Sequence, residues 1–172
     1  RDRRDVAVRA LVGTPQRFNQ ELADGTIDMA FLYDPVFRKD LLTDELFQDE
    51  LVLVTTMPDM PWMDNYVRVE WGAAVDAEIS SRLGIVAGAG LTIELGLLSA
   101  SWLIRESACG YMPKRMVAAE LGGGQLHEIA GAPRVSYSAY GCWRREMDQE
   151  IAGDLIARAR QLAEPLFEVG QS

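Results

Sequence analysis

Residues 21–35, ELADGTIDMAFLYDP, carry the signals on which the fold turns. Leu22 continues an apolar stripe that starts at Phe18, and Asp24-Gly25 then stops the helix. The following run, residues 27–33, is apolar throughout except for Asp28, as expected of a strand covered on both faces. Asp34-Pro35 closes it with a turn dipeptide. Upstream, residues 6–12 alternate β-branched and smaller side chains up to Gly13, and Thr14-Pro15 supplies an N-cap followed by proline at the first helical position. Strand, helix and strand at this spacing predict a parallel βαβ unit with a right-handed crossover.

Reading outward, residues 41–47 and 50–56 form two more strands, the second continuous in Leu51, Val52, Leu53 and Val54. Residues 57–65 contain Pro58 and Pro61 without a consistent period, so they connect two lobes. The same grammar then restarts. A strand at 66–69 leads through Trp71-Gly72 to a helix at 73–83, and the Gly-rich stretch 84–90 precedes a strand at 91–95. A helix at 97–106, a strand at 109–112 and a helix at 113–121 follow, the last broken by Gly122-Gly123-Gly124. Strands at 126–129 and 135–143 come next, the latter long enough to cross back toward the first lobe. Residues 148–167 show the clearest helical period, with Ile151, Leu155, Ile156, Ala159, Leu162 and Leu166 on one face. Pro165 marks a kink or exit, and residues 169–172 are a frayed tail.

At 172 residues the chain suits one compact domain or two small lobes, and 48% hydrophobic with 25% charged residues describes an ordinary globular protein. Seventeen Lys and Arg against 26 Asp and Glu give a net charge of −9, which disfavours direct contact with a phosphate backbone. The longest apolar run, residues 95–104, is interrupted by Gly96, Ser99 and Ser101 and falls far short of the roughly 20 residues that span a bilayer. Charged residues 1–5, with no apolar stretch behind them, do not resemble a secretory leader. Cys109 and Cys142 lie far apart in apolar surroundings and read as reduced, buried thiols of a cytoplasmic protein.

No catalytic arrangement emerges. The single histidine, His127, lies beside Glu128 in a short strand without a serine or cysteine nucleophile in a strained turn nearby, so a structural role is expected. The carboxylates lack the spacing of a Ca²⁺ or Zn²⁺ cage, and neither glycine cluster is a phosphate-cradling loop, so no metal and no cofactor is expected. What remains suits binding. In α/β sheets, ligands settle where strands end and helix N-termini offer unpaired N–H groups. Three junctions qualify: Thr14 with Gln16, Trp71 with Gly72, and Tyr111 ahead of Met112-Pro113. Tyr33 and Asp34 end the strand that should neighbour the first of them.

Residues 21–35 followed by LLTDELFQDELVLVTT resemble the effector-binding domain of LysR-type transcriptional regulators. So do ACGYMPKRMV, similar to that family's G-x-G-Y-x-P-x-x-x-V stretch, and GGGQLHEIAGAPRVSYSAYGCW, similar to its G-x-L-x-x-V-x-x-A-P pattern with a following tyrosine. VEWGAA looks like a D-W-G variant at the start of the second lobe, and Ala108 stands where the family often has glycine. The resemblance runs in order over nearly the whole chain. It implies two Rossmann-like α/β lobes of periplasmic-binding-protein type II, joined by two crossover strands with an inducer cleft between them. Residues 1–57 plus 145–172 would form the first lobe and residues 58–144 the second. Family domains usually carry one more strand and helix before Val6, and residues 1–5 look like the tail of that helix. The winged helix-turn-helix and linker helix that usually precede the domain have no counterpart here.

The resemblance implies a ligand-sensing, dimerising regulatory domain that performs no chemistry on its small-molecule effector. It would form a homo-oligomer, dimer or tetramer, and reach DNA only through the family's N-terminal helix-turn-helix. Carried over by position, Thr14 and Gln16 match the family's contact in the first lobe and Trp71-Gly72 its counterpart in the second, with Tyr33, Asp34 and Tyr111 added from their placement. The alternative is a stand-alone solute-binding protein of the same architecture serving transport. Helix N-termini suit an anionic effector, whereas Trp71 and Tyr111 suit an aromatic or apolar one.

Overall fold

A computed structural model describes residues 6–85 and 90–163. Helix α1 spans Pro15–Asp24, with Thr14 as its N-cap accepting from Arg17 N at 3.3 Å and Gly25 ending it in the left-handed region at φ 74°. Strand β1 follows at Met29–Leu32, buried on one face at Ala30 and Leu32 but with Phe31 49% exposed, so it is not covered on both faces as its apolar run predicts, and β2 at Leu41–Phe47 and β3 at Glu50–Thr55 come next. A short 3-10 turn, Trp62–Asn65, leads to β4 (Arg68–Val69), α2 (Ala73–Leu83) and β5 (Thr92–Ile93). A further 3-10 turn, Gly96–Leu98, runs into α3 (Ser99–Glu106), then β6 (Cys109–Pro113) and the single turn α4 (Ala118–Gly122). Strands β7 (His127–Glu128), β8 (Val135–Ser136) and β9 (Ala139–Arg144) precede α5 (Gln149–Ala163). Asp148 caps α5, its Oδ1 accepting from Glu150 N and Ile151 N.

The strands form two principal sheets. One has the order β1-β9-β2 and the other β6-β3-β7, with β8 also pairing β3. Each sheet has its own core. Leu22, Ala30, Leu32, Leu41 and Cys142 pack in the first. The larger one surrounds Leu51, Leu53, Leu103, Met112, Leu126 and Val135, all at most 1% exposed. Two sheets joined by extended segments are the two-lobe α/β architecture expected from the sequence.

The expected lobe division does not coincide with the hydrogen bonding. Residues 1–57 were assigned to one lobe, yet β3 pairs only with β6, β7 and β8 of the second sheet. Residues 58–144 were assigned to the other, yet β9 lies at the centre of the first sheet. The chain therefore changes sheets earlier than expected, at residues 48–49 and again at 137–138. The single long strand expected at 135–143 is for that reason two strands, because a chain passing between sheets must leave one ladder before it joins the next.

The parallel βαβ unit expected at the start is also absent. Residues 6–13 form no strand, Val8 and Val12 are 79% and 93% exposed, and β1 pairs only with β9, antiparallel. Alternating side chains make a strand only where a neighbouring strand takes up their backbone groups. Parallel strand–helix–strand pairing appears instead in the second half, where β4 and β5 flank α2. The helix expected at 113–121 contracts to α4, because Pro113 ends β6 opposite Leu51 and Lys114 N continues the ladder to Glu50 O. In α5, Ala152, Ile156 and Ala163 are buried, but Leu162, expected on the packed face, is 78% exposed. The expectations for residues 1–5 and 86–89, for the end of the last helix from 164 with Pro165 and Leu166, and for the tail lie outside the described residues.

Two glycines test this packing in opposite directions. A Cβ on Gly110 would lie 2.9 Å from Val67 O and 3.1 Å from Val69 Cγ2, both on the rigid β4 side. Gly110→Ala should destabilise the fold by about 1–3 kcal/mol through overpacking. Gly153, in the exposed face of α5, has nothing within 4 Å of such an atom. Gly153→Ala should stabilise by about 0.5–1 kcal/mol, and equilibrium urea unfolding of both variants checks the pair.

Candidate ligand-binding site

The two segments that pass between the sheets touch each other. Asp49 N donates to Tyr137 O at 3.2 Å and Tyr137 N donates to Asp49 O at 2.8 Å, one antiparallel pair between the crossovers. Tyr137 is buried there. Its ring stacks on that of Tyr33, centroids 4.3 Å apart and planes 1° from parallel, and meets Trp71 edge-on at 5.9 Å. Its hydroxyl donates to Trp71 O at 2.9 Å. One side chain thus ties the end of β1 to the strand-to-helix junction in front of α2.

A cavity of about 240 Å³ opens beside this stack. Tyr33, Asp34, Pro35 and Phe37 line it from the loop after β1, Ser136 and Tyr140 from β8 and β9, Tyr137 and Ser138 from the crossover, and Val75 from α2. Asn19 of α1 holds that loop in shape, donating from Nδ2 to Asp34 O at 2.8 Å and accepting at Oδ1 from Val36 N at 2.9 Å. Phe37 packs edge-on against Tyr140 at 5.9 Å. A second cavity of about 250 Å³, lined by Trp62, Arg82, Leu83 and residues 129–133, draws on only one sheet's side of the molecule.

Of the residues singled out from sequence, Tyr33 and Asp34 line the inter-sheet cavity. Gly72 stands directly behind, and an atom at its Cβ position would lie 2.7 Å from Asp34 Oδ2. Trp71 is buried behind Tyr137 and does not line the cavity, its Nε1 donating to Tyr111 O at 2.7 Å. Tyr111 is 1% exposed in the second core and its hydroxyl donates to Pro133 O at 2.7 Å. Thr14 and Gln16 are exposed at the start of α1 and do not line the cavity. The sequence reading did not single out Phe37, Val75, Ser136, Tyr137, Ser138 or Tyr140. Their signal is the Ser136-Tyr137-Ser138 stretch, where a strand-like run carries hydroxyls and an aromatic through the point of sheet exchange.

The phenols here are donors at any ordinary pH. Burial pushes Tyr33 up to about 12, with Asp49 adding to the shift and Arg115 opposing it. Tyr137 is raised further, by burial first and then by Tyr33, Asp34, Asp76 and Asp49. His127, expected to be structural, lies in β7 against Thr55 and does not line the cavity. Among the described residues no group of three or more His, Cys, Asp and Glu could hold a metal ion. No helix among them is long and apolar enough to cross a membrane. Cys109 and Cys142 are buried free thiols, and burial pushes Cys109 up to about 12.

The sequence matches the LysR substrate binding domain family over residues 1–164. The chain belongs to that family. No curated protein matches it. Among solved structures, the bromide-bound regulatory domain of HypT from Salmonella typhimurium superposes with a TM-score of 0.68 at 15% identity, covering 86% of this chain and 77% of that one. Full-length LysG from Corynebacterium glutamicum with bound effector Arg gives 0.63 at 13% identity, covering 87% of this chain and 57% of that one. The OxyR2 regulatory domain from Vibrio vulnificus, a cysteine-to-serine mutant, gives 0.60 at 14% identity over 86% and 77%. At these identities the likeness shows the shared fold. As a LysR substrate-binding domain, the chain is an effector-sensing regulatory domain of a LysR-type transcription factor.

Two substitutions probe how this LysR domain builds the region. Gly72 has φ 130° and ψ 145°, close to a region essentially reserved for glycine. Gly72→Ala should cost about 1–3 kcal/mol in urea unfolding, and combining it with Asp34→Ala should recover the part due to collision but not the backbone part. Asp49 is 6% exposed, and its Oδ2 has no hydrogen-bond partner among the described residues, while Oδ1 accepts from Glu50 N and Arg115 N. Burial, the largest cause, raises its carboxyl above the ordinary value of 3.8. The folded state therefore holds this proton more tightly than the unfolded chain, and ionisation works against folding as pH rises through the raised value. Asp49→Asn should be more stable than the parent at neutral pH and lose that advantage below the ordinary carboxylate range, as followed by thermal unfolding across pH.

Proposed function

We propose that the effector of this LysR-type domain binds in the inter-sheet cavity beside the Tyr33–Tyr137 stack. The observation that carries the reading is the origin of the walls, which come from the loop after β1, from β8 and β9, from α2 and from the crossover itself. A ligand in contact with all of these prefers one arrangement of the two halves over another, and that difference in affinity is what a sensing domain transmits. On this reading the first lobe comprises residues 6–48 and 138–163, and the second residues 49–137, with 86–89 outside the described part. The protein works in the cytoplasm as a homo-oligomer and contacts DNA through a helix-turn-helix domain, without catalysing a reaction. The chain spans 57% of full-length LysG, which leaves room in such a regulator for a further domain. Of the similar structures, LysG holds the effector Arg and HypT a bromide ion, so likeness of fold does not choose the charge of the ligand.

Ser136 lines the cavity and is exposed on β8, so a large side chain there fills the cleft without disturbing a core. In a thermal-shift screen of metabolites, compounds that raise Tm for the parent should lose that effect in Ser136→Trp, while the ligand-free Tm stays within a few degrees. Compounds whose shift survives Ser136→Trp would place the effector elsewhere.

A further inference from the structure

The cavity is rich in aromatic rings and carries a charge of one sign. Among the described residues Asp34 is the only charged side chain lining it, and Tyr33, Phe37, Tyr137 and Tyr140 supply four rings. Two more carboxylates stand behind these walls. Asp76 and Asp49, with Asp34, all act on the Tyr137 phenol in the direction expected of surrounding negative charge. Arg115 has its guanidinium 3.8 Å over the Phe47 ring and hydrogen-bonded to Ala163 O, and it is not a lining residue. The N-terminus of α2 would attract an anion, but Asp34 already occupies that ground against Gly72. An anionic ligand would have to displace that carboxylate or sit beside it. A cation meets a carboxylate and the negative faces of aromatic rings at once.

We propose that the effector is a small organic cation, an ammonium or guanidinium compound, that pairs with Asp34 and lies against the rings of Tyr33, Phe37 and Tyr140. The inference rests on the reading of the cavity as the effector site. The volume of about 240 Å³ is below the range of drug-sized pockets, about 300–1,000 Å³, and suits a molecule of amino-acid size. The serine hydroxyls of Ser136 and Ser138 face the same space and can accept from its remaining N–H groups.

Calorimetric titration and thermal shift of the whole chain with arginine, agmatine and choline, set against the uncharged propylurea and the anion succinate, test this. At least one cation should bind saturably and raise Tm, with propylurea and succinate weaker by about tenfold or more. Asp34→Asn should weaken the bound cation by about tenfold or more, since the interaction loses its ionic partner. Phe37→Ala, at a 70% exposed position where folding is not at stake, should weaken it several-fold. Absence of binding by every cation overturns the proposal, and so does cation binding that Asp34→Asn leaves unchanged. Succinate or propylurea binding that Ser136→Trp abolishes, with no cation binding more tightly, would overturn the cation while keeping the cleft. Binding of any probe that is indifferent to both Ser136→Trp and Asp34→Asn would remove both readings.

Discussion

The reciprocal backbone hydrogen bonds of Asp49 and Tyr137 join the two segments by which the chain passes between its sheets. At that point the chain has left one ladder and not yet entered the next, so its peptide groups have no sheet to satisfy them, and a buried unpaired peptide group is costly. The two crossing segments solve this by pairing with each other. In backbone hydrogen bonds their union is one residue pair wide, and the two cores on either side remain separate clusters.

The aromatic groups follow from that constraint. Tyr137, fixed by its own backbone, spans the gap with its ring on Tyr33 and its hydroxyl on Trp71 O. Flat rings bury much area in a thin junction, and the polar tip finds a carbonyl instead of an empty interior. The same junction explains the unusual backbone at Gly72, where Asp34 comes so close that a side chain has no room. The cavity beside this stack is lined from both halves, by the loop after β1 and β9 on one side and by α2 and β8 on the other. Asp49 adds a strained note. A buried carboxylate with one unpartnered oxygen at the junction costs stability near neutrality, a feature more often kept for function than for folding.

Much of the local structure was legible in the chain. Thr14-Pro15 and Gly25 bracket α1 where capping chemistry says they should, and the helix at Ala73–Leu83 begins and ends at the residues read from its pattern. The cavity was legible only in part. Tyr33 and Asp34, which end a strand in a turn, line it, whereas Trp71-Gly72, marked by preceding a helix, stand behind it. Thr14 and Gln16 satisfied the same local rule yet face solvent, and Tyr111 satisfied it yet is sealed in a core by its bond to Pro133 O. The rule describes what a junction can offer and says nothing of what stands opposite it. Ser136, Tyr137, Ser138 and Tyr140 escaped notice because nothing local marks the point at which a strand exchanges sheets.

The sequence by itself determined the family, the bounds of helices such as Pro15–Asp24 and Ala73–Leu83, and the turns that punctuate them. All of these are carried by residues close together in the chain, through φ/ψ preferences, side-chain periodicity and turn chemistry. Tertiary structure alone decided that residues 6–13 find no ladder, that β3 and β9 belong to the opposite sheets from those their position suggested, and that one carboxylate faces four aromatic rings. Those outcomes depend on pairings between residues up to about a hundred positions apart, such as Asp49 with Tyr137 and Met29 with Trp143. Such pairings are selected by the fit of whole surfaces, which no short stretch of chain records.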